Sequence, residues 1–320
     1  MAKLIRTASA TAPATVANVG PGFDVFGFAI SGPGDVVIAR EDDAVSPLKA
    51  RIGSITGDGG ALSHDPDRNV VTTVAMAMLR ANAVLRPGTF IGVTIDLVKG
   101  LPIGSGLGSS SASAVAAAVA MNRLLDDPFT FFQQIDFARE GERVACGSAH
   151  ADNVSAAFFG GFSIAGDPGM SNGVRVPVPR EWRVAVVHPH LGLETRQARS
   201  VLPRKVTLEA MTNQVANAAR LIHALHFDDL DLFAQALRGD AVVVPARRSL
   251  IQGYYTVERA ALGAGAAAVS ISGAGPSMFA VCASEAIAEA ASAAMAAAWG
   301  ALGIESDPYV SPMGTKGAMM

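Results

Sequence analysis

The residues best suited to chemistry lie in Leu101-Pro102-Ile103-Gly104-Ser105-Gly106-Leu107-Gly108-Ser109-Ser110-Ser111-Ala112. Glycines at alternate positions let the backbone come close to an anion, and a helix starting at the serines aims its free N–H groups at the same place. The serine hydroxyls add donors, and oxygens able to face a metal ion. The chemistry suggested is the cradling of phosphate. The segment is not a Walker A loop, because no Gly-Lys-Ser/Thr follows, and its glycine spacing is not the dinucleotide fingerprint. Two further segments are rich in turn formers: Ala12-Pro13-Ala14-Thr15-Val16-Ala17-Asn18-Val19-Gly20-Pro21-Gly22-Phe23-Asp24-Val25-Phe26-Gly27-Phe28-Ala29 and Ser270-Ile271-Ser272-Gly273-Ala274-Gly275-Pro276-Ser277. Taken singly, each reads as a Gly-Pro turn between strands, with Asp24 a local acceptor.

In this order and at this spacing, the three segments together resemble the GHMP kinases, the family of galactokinase, homoserine kinase, mevalonate kinase and phosphomevalonate kinase. Two more stretches resemble its homoserine kinases. One is His150-Ala151-Asp152-Asn153-Val154 ahead of Gly160-Gly161-Phe162; the other is Thr195-Arg196-Gln197-Ala198-Arg199 ahead of Val201-Leu202-Pro203. The resemblance implies a two-domain α+β fold. Residues 1–170 would form an ATP-binding domain like the second domain of ribosomal protein S5, and 171–320 a ferredoxin-like domain. It also implies ATP and Mg²⁺ as cofactors, L-homoserine as the small-molecule acceptor, a cytoplasmic location and a homodimer.

By the same resemblance, Pro102, Ile103, Gly104, Ser105, Gly106, Leu107, Gly108, Ser109, Ser110, Ser111 and Ala112 would hold the triphosphate. Asn69, Gly273 and Gly275 would also serve the nucleotide. Ser110 and Glu142 would hold Mg²⁺, which commonly takes one or two carboxylates plus phosphate oxygens and water. Without the family spacing to His150, Glu142 reads as an exposed helix charge beside Arg139 and Arg143. A zwitterionic acceptor needs both signs of charge: Asp24 would meet its ammonium, and Arg199 and Arg247 its carboxylate, which guanidinium forks suit. Asn18, His150 and Asn153 would hold the reacting end. Several relatives carry an Asp near the position of Asn153, and Asn153 cannot accept a proton as a carboxylate would. Asp152 is adjacent, but on a helix a neighbour is turned about 100° away. The expectation is direct attack by the hydroxyl, its proton passing to a phosphate oxygen, with Ser110, Glu142 and Asn153 as the catalytic set.

Two departures from the family pattern are Ser111, where relatives carry Ala, and Gln252, where they carry Pro. The second leaves open whether Arg247 or Arg248 contacts the substrate. Another small-molecule kinase of the family is one alternative, although mevalonate has no ammonium for Asp24. A non-catalytic ligand-sensing relative is the other, weakened by the presence of Gly106, Gly108, Ser110 and Glu142.

The elements that must position these residues follow from periodicity. Val36–Arg40 and Phe90–Lys99 read as strands, and Arg68–Asn82 as a helix with Asp65 or Asp67 as its cap. Ala112–Leu125 and Phe131–Cys146 read as helices, and Phe158–Ala165 as a strand. A boundary falls near 168–180. Beyond it come strand Arg183–His188, helices Leu208–Leu225 and Leu230–Leu237, strands Ala267–Ser272 and Met278–Cys282, and helix Glu285–Leu302. Mixed elements without strict βαβ alternation suggest α+β. The chain has 320 residues and a formal net charge of −3, with 6% aromatics. That balance argues against nucleic-acid binding, which wants a basic face with stacking rings. Cys146 and Cys282 lie far apart, which disfavours a disulfide framework. No signal peptide is evident, and the Ala-rich stretch 286–304 is too weakly apolar for a membrane span. The pairs His188/His190 and His223/His226 lack a completing ligand, so neither reads as a metal site.

Overall fold

The computed structural model of the chain describes residues 6–147, 151–166 and 173–318. The first sheet holds β1 (Thr7–Val19), β2 (Gly22–Glu41), β3 (Ala50–Thr56), β4 (Val93–Val98), β5 (Phe162–Ile164) and β6 (Val174–Val176). Its order is β3-β4-β2-β5-β6, with β1 also on β2, and only β3 and β4 pair in parallel. β1 and β2 make one long hairpin, from Thr7 opposite Arg40 to Val19 opposite Gly22. At its tip Asn18, Gly20 and Asp24 take left-handed φ of 54°, 53° and 56°. Asn, Gly and Asp are the residues that tolerate that region, so the tip is a turn written into the sequence.

Helices α1 (Val70–Leu85), α2 (Ser109–Leu124), α3 (Phe131–Cys146) and α4 (Asp152–Phe159) accompany this sheet. α2 lies on β1 and β2 and is flanked by α1 and α3. Buried on nearly every side, it explains the Ala run: Ala112, Ala114, Ala116, Ala117, Ala118 and Ala120 are all fully buried. A helix that is apolar all round is a core helix, and small side chains let its neighbours come close.

The second sheet has β7 (Arg183–Pro189), β8 (Ala268–Ile271), β9 (Met278–Cys282) and β10 (Ser306–Pro312), in the antiparallel order β10-β7-β9-β8. Between β7 and β8 run α5 (Thr195–Ser200), α6 (Leu208–Phe227), α7 (Leu230–Arg238), α8 (Val243–Arg247) and α9 (Tyr254–Gly263), and α10 (Glu285–Gly300) joins β9 to β10. With α9 and α10 as its two helices, this is the βαββαβ arrangement of ferredoxin-like domains. Ala185, Val187, Met278 and Ala280 face α9 and α10, in a core with Val257, Met295 and Trp299. Alternate residues Val184, Val186, Phe279 and Val281 face the other way and join the core of the first sheet; Phe279 meets Phe28 edge-on at 5.6 Å. A sheet buried on both faces has near-continuous apolar strands, as these read.

Two local expectations are corrected. Phe158–Ala165 is not one strand: α4 runs to Phe159 and stops at Gly160, φ 64°, before the short β5. The apolar run serves a buried helix first, since Val154, Ala156, Ala157 and Phe158 all face the core. The cap of α1 is Asn69, whose Oδ1 accepts from Val71 N at 3.2 Å, in place of Asp65 or Asp67. α2 begins at Ser109, so all three serines stand in its first turn. The boundary 170/171 lies outside the described residues; β6, at 174–176, pairs with β5 in the first sheet, and the chain reaches the second sheet at Arg183.

Candidate active site

The Gly/Ser loop is shaped by Gly104, Gly106 and Gly108, at φ of 68°, 78° and 68°. Gly108 is the residue that turns the chain into α2. Both other motifs grip this loop. Thr15 N donates to Leu107 O at 3.0 Å, Ser277 Oγ to Ser105 O at 2.6 Å, and Ser272 Oγ to Gly106 O at 2.7 Å. With those three carbonyls bonded to protein donors, the loop does not present them to an anion. A Cβ on Gly106 would fall 2.5 Å from Ser272 O and 2.7 Å from Gly275 O, and one on Gly273 would fall 2.9 Å from Gly106 O. Backbone therefore lies on backbone here. Gly273 and Gly275, expected on the nucleotide, pack against the loop from the second sheet. Ser277 in turn contacts His188 Nδ1 at 3.2 Å; because Ser277 donates its proton to Ser105, His188 must be the donor to Ser277. Burial pushes the His188 imidazole down to about 4.

Beneath the loop lies a charged support that sequence reasoning missed. Lys99 Nζ is bonded to Asp35 Oδ2, and also to Ser109 O at 2.9 Å, Ser109 Oγ at 2.7 Å and Ser113 Oγ at 3.0 Å. Asp35 Oδ1 accepts from Gly100 N and Leu101 N at 3.1 and 3.2 Å. Burial lowers the Lys99 pKa while the Asp35 carboxylate opposes it. The pair ties the end of β4 to the first turn of α2, fixing both ends of the loop. The available signal was a lone acid and a lone lysine in apolar strands, but their pairing depends on the register that sets Val36 opposite Val98.

The three serines have diverged. The Ser109 hydroxyl is committed to Lys99 and to Leu101 O at 3.2 Å. Ser111 is buried and its Oγ has no hydrogen-bond partner among the described residues, while Ser110 is half-buried. Glu142 is only 4% exposed, against the surface charge its neighbours suggest. Gly141 is the cause. A Cβ there would fall 2.8 Å from Val70 and Val74, and 3.3 Å from Ala114. α3 can thus press onto α1 and α2 and carry Glu142 inward, where its charge acts on Lys99 and Asp152. Asn69 caps α1 and donates Nδ2 to Ser63 O at 2.8 Å, so its amide serves helix and loop.

The residues expected on the acceptor, Asn18, Asp24, Arg199 and Arg247, lie close to Phe23. Asn18 Oδ1 accepts from Asp24 N at 2.9 Å, holding the hairpin tip. Arg199 Nη2 donates to both oxygens of Asp24 at 2.8 Å. Both Arg199 and Arg247 carry their guanidinium carbons 5.2 Å from the Phe23 ring centre. Arg247 is 2% exposed and donates to Ala198 O at 3.1 Å and Gly273 O at 2.9 Å. Burial first, and the Arg199 charge second, lower it to about 10. Arg248 instead lies over Tyr255, so the structure brings Arg247 to the cluster. Gln252 contributes its carbonyl to Trp299 Nε1 at 3.0 Å, a bond indifferent to side chain.

Asn153 stands against the Gly/Ser loop. Thr15 Oγ1 donates to its Oδ1 at 2.7 Å, and a Cβ on Gly108 would fall 2.9 Å from that oxygen. With Oδ1 taken, the amide NH2 is the group left to act. Beside it Asp152 is 1% exposed and its Oδ1 has no hydrogen-bond partner among the described residues. Burial, then the Asp24 carboxylate, push Asp152 up to about 7. His150 lies outside the described residues. No cluster of three or more His, Cys, Asp and Glu that could hold a metal occurs among the described residues, and no helix there is long and apolar enough to cross a membrane.

A glycine-rich loop at a helix start, backed by a ferredoxin-like domain and accompanied by a charged cluster, is the arrangement of a small-molecule kinase family. The GHMP kinase N-terminal domain model matches residues 69–161, and the GHMP kinase C-terminal model residues 218–301. The chain belongs to the GHMP kinase family. It is 44% identical to the homoserine kinase of Chlorobaculum tepidum, over 98% of each chain, and 39% identical to that of Xanthomonas campestris, over 100% of this chain and 95% of the other. The crystal structure of homoserine kinase from Cytophaga hutchinsonii superposes with a TM-score of 0.92 at 40% identity, covering 100% of this chain and 98% of that one. A galactokinase from Lactococcus lactis shares the fold alone, with a TM-score of 0.69 at 16% identity and coverage of 98% and 95%.

Proposed function

We propose that the chain transfers the γ-phosphoryl group of ATP to the side-chain hydroxyl of L-homoserine. The observation that carries this is the charge set at Phe23, one carboxylate and two guanidiniums, in a chain whose Asn153 touches the Gly/Ser loop. The backbone of Pro102 to Ala112 holds the triphosphate. Asp24 takes the ammonium, and Arg199 with Arg247 the carboxylate, which leaves the hydroxyl end for Asn153. Such positioning is most of what phosphoryl transfer asks of a protein. The donor set fits Mg²⁺: one buried carboxylate, Glu142, and one hydroxyl, Ser110, with the remaining positions left to phosphate oxygens and water. When bound there, the ion neutralises charge on the phosphates. A cytoplasmic homodimer accompanies this reading by family resemblance.

For the proton, direct attack with transfer to a phosphate oxygen is the first reading, supported by an Asn153 whose Oδ1 already accepts from Thr15. A second reading has Asp152 as base, favoured by its buried carboxyl poised near 7. Asn153→Asp tests the first: turnover should not rise, and a large rise overturns it. ADP release from Mg²⁺-ATP with L-homoserine, mevalonate, galactose or no acceptor tests the function itself. Turnover with homoserine alone is expected; turnover with another acceptor would overturn the roles of Asp24, Arg199 and Arg247.

A further inference from the structure

Arg247 and Arg248 are neighbours, yet the first is buried at Phe23 and the second lies over Tyr255. What separates them is the register of α8, whose buried face carries Val243 and Arg247, one turn apart. A helix of 5 residues does not hold its register unaided. Val242, at its N-terminal cap position, has no side-chain acceptor to offer. Asp240 supplies one from two residues upstream. Its Oδ1 accepts from Val242 N at 2.9 Å and Val243 N at 3.0 Å, and its Oδ2 from Val244 N at 2.9 Å. Pro245, next in line, has no N–H to satisfy, so one carboxylate accounts for every donor of the opening turn. Asp240 is buried, and α6 holds it in turn. Gln214 Nε2 donates to Asp240 Oδ1 at 2.9 Å, Gln214 Oε1 accepts from Ala241 N at 3.1 Å, and Asn217 Nδ2 donates to Gly239 O at 3.1 Å.

We propose that Asp240 is a positioning residue of the acceptor site, fixing the start of α8 and thereby which of two adjacent arginines meets the acceptor carboxylate. This rests on the assignment of that carboxylate to Arg247. A slip of α8 by one residue turns its faces by about 100° and presents Arg248 in place of Arg247. The same slip reaches α5, because Arg247 donates to Ala198 O, and Ala198 precedes Arg199 in that helix. Both guanidiniums at Phe23 therefore depend on where α8 begins. Asn at position 240 is not equivalent. Both oxygens of Asp240 accept, whereas an amide has one oxygen and sets its NH2 against a backbone N–H on the other side. The Gly/Ser loop has ties of its own that do not pass through α8: Thr15 N to Leu107 O, Ser272 to Gly106 O, Ser277 to Ser105 O, and Lys99 to Ser109. Asp240 thus governs the acceptor end of the site and leaves the nucleotide end alone.

Asp240→Asn in the full chain is assayed by ADP release, with homoserine and ATP varied in turn. The KM for homoserine should rise by about tenfold, the effect of one buried hydrogen bond lost, while kcat and the KM for ATP stay at their wild-type values, as when binding common to ground and transition states is removed. Asp229 is the comparison. It caps α7 through Oδ1 to Leu232 N at 2.9 Å, and α7 carries none of the proposed site residues. Asp229→Ala should lower the melting point yet leave all three constants unchanged. A double-mutant cycle with Arg247→Met shows the route: with Arg247 gone, Asp240→Asn should raise the homoserine KM no further. Gln214→Leu, which removes the tie from α6, should raise the same constant by less, and it carries the test if Asp240→Asn does not fold. An unmoved homoserine KM, equal changes in kcat and both KM values, or full additivity in the cycle overturns the positioning role. Wild-type turnover separates the two failures. If homoserine is not turned over, the acceptor assignment falls and this proposal with it; if it is turned over and its KM does not respond, only the role of Asp240 falls.

Discussion

Gly108→Ala is the sharpest perturbation this site offers, because one methyl group would touch the loop, the hairpin and α4 together. The new Cβ would overlap Thr15 Oγ1 and fall 2.9 Å from Asn153 Oδ1. The backbone there sits at φ 68°, where an L side chain costs roughly 1–2 kcal/mol. Displacing Thr15 breaks its buried hydrogen bond to Asn153, worth about 1–3 kcal/mol when a partner is left unsatisfied. Together these amount to about 2–5 kcal/mol, or a melting point lowered by roughly 3–7 °C for a chain of this size. Activity should suffer more than stability. An Asn153 moved by even an ångström from the acceptor hydroxyl costs on the order of 10²-fold in kcat. A double-mutant cycle isolates the contact: Thr15→Ala removes the overlapping oxygen, so Gly108→Ala/Thr15→Ala should be more stable than the sum of the singles by ~1 kcal/mol. Thermal melts and ADP-release rates on the four proteins provide the test. A Gly108→Ala protein with wild-type kcat, or strict additivity in the cycle, would refute the claim that the three segments converge at this atom.

Lys99→Met should lose about 3–5 kcal/mol in urea unfolding, since it leaves Asp35 buried without its cation; a loss under 1 kcal/mol would show the support to be dispensable. His188, held near 4 by burial against an ordinary 6.5, binds its proton more readily unfolded than folded. Stability should therefore be full above about pH 6.5 and fall by up to ~3 kcal/mol toward pH 4, and His188→Gln should flatten that limb of the pH–stability curve. Asp152 has the opposite sign. With its folded value raised to about 7, the folded state holds the proton more tightly, so this group lowers stability as pH rises from about 4 to 7. Asp152→Asn should accordingly melt higher than wild type at pH 8, which a fluorescence melt can check. Its kcat decides the proton route: a fall of roughly 10²–10⁴-fold points to a base, a change confined to KM to direct attack.

The glycine loop before α2, the order of the motifs and most of the strands and helices were legible because they rest on local rules: glycine spacing, capping residues and apolar period. The ends of α3, Phe131 and Cys146, could be read directly, since Thr130 and Gly147 mark them. What could not be read depends on pairing across the chain. Asp35 and Lys99 look like solitary charges until β2 and β4 are set in register. Glu142 looks exposed until Gly141 lets α3 sink against α1 and α2. Thr15 looks like a strand residue until α4 places Asn153 against it. Arg247 and Arg248 are indistinguishable in sequence, and only the chain's path decides which reaches Phe23. Conversely, β1 could be read only as a strand before a Gly-Pro turn and not given bounds, because its inward residues Ala10, Ala12 and Ala14 are small and carry a weak apolar signal.

On the proposed function, one zwitterion bridges Asp24 and the two arginines while its hydroxyl faces a triphosphate on the Gly/Ser loop. A crystal structure with L-homoserine and a non-hydrolysable ATP analogue tests it most directly. The expected result is the ammonium on Asp24, the carboxylate on Arg199 and Arg247, the Asp24–Arg199 bond broken, and the hydroxyl near Asn153 in line with the terminal phosphate. Homoserine bound with the Asp24–Arg199 pair intact, or seated away from Phe23, would contradict it.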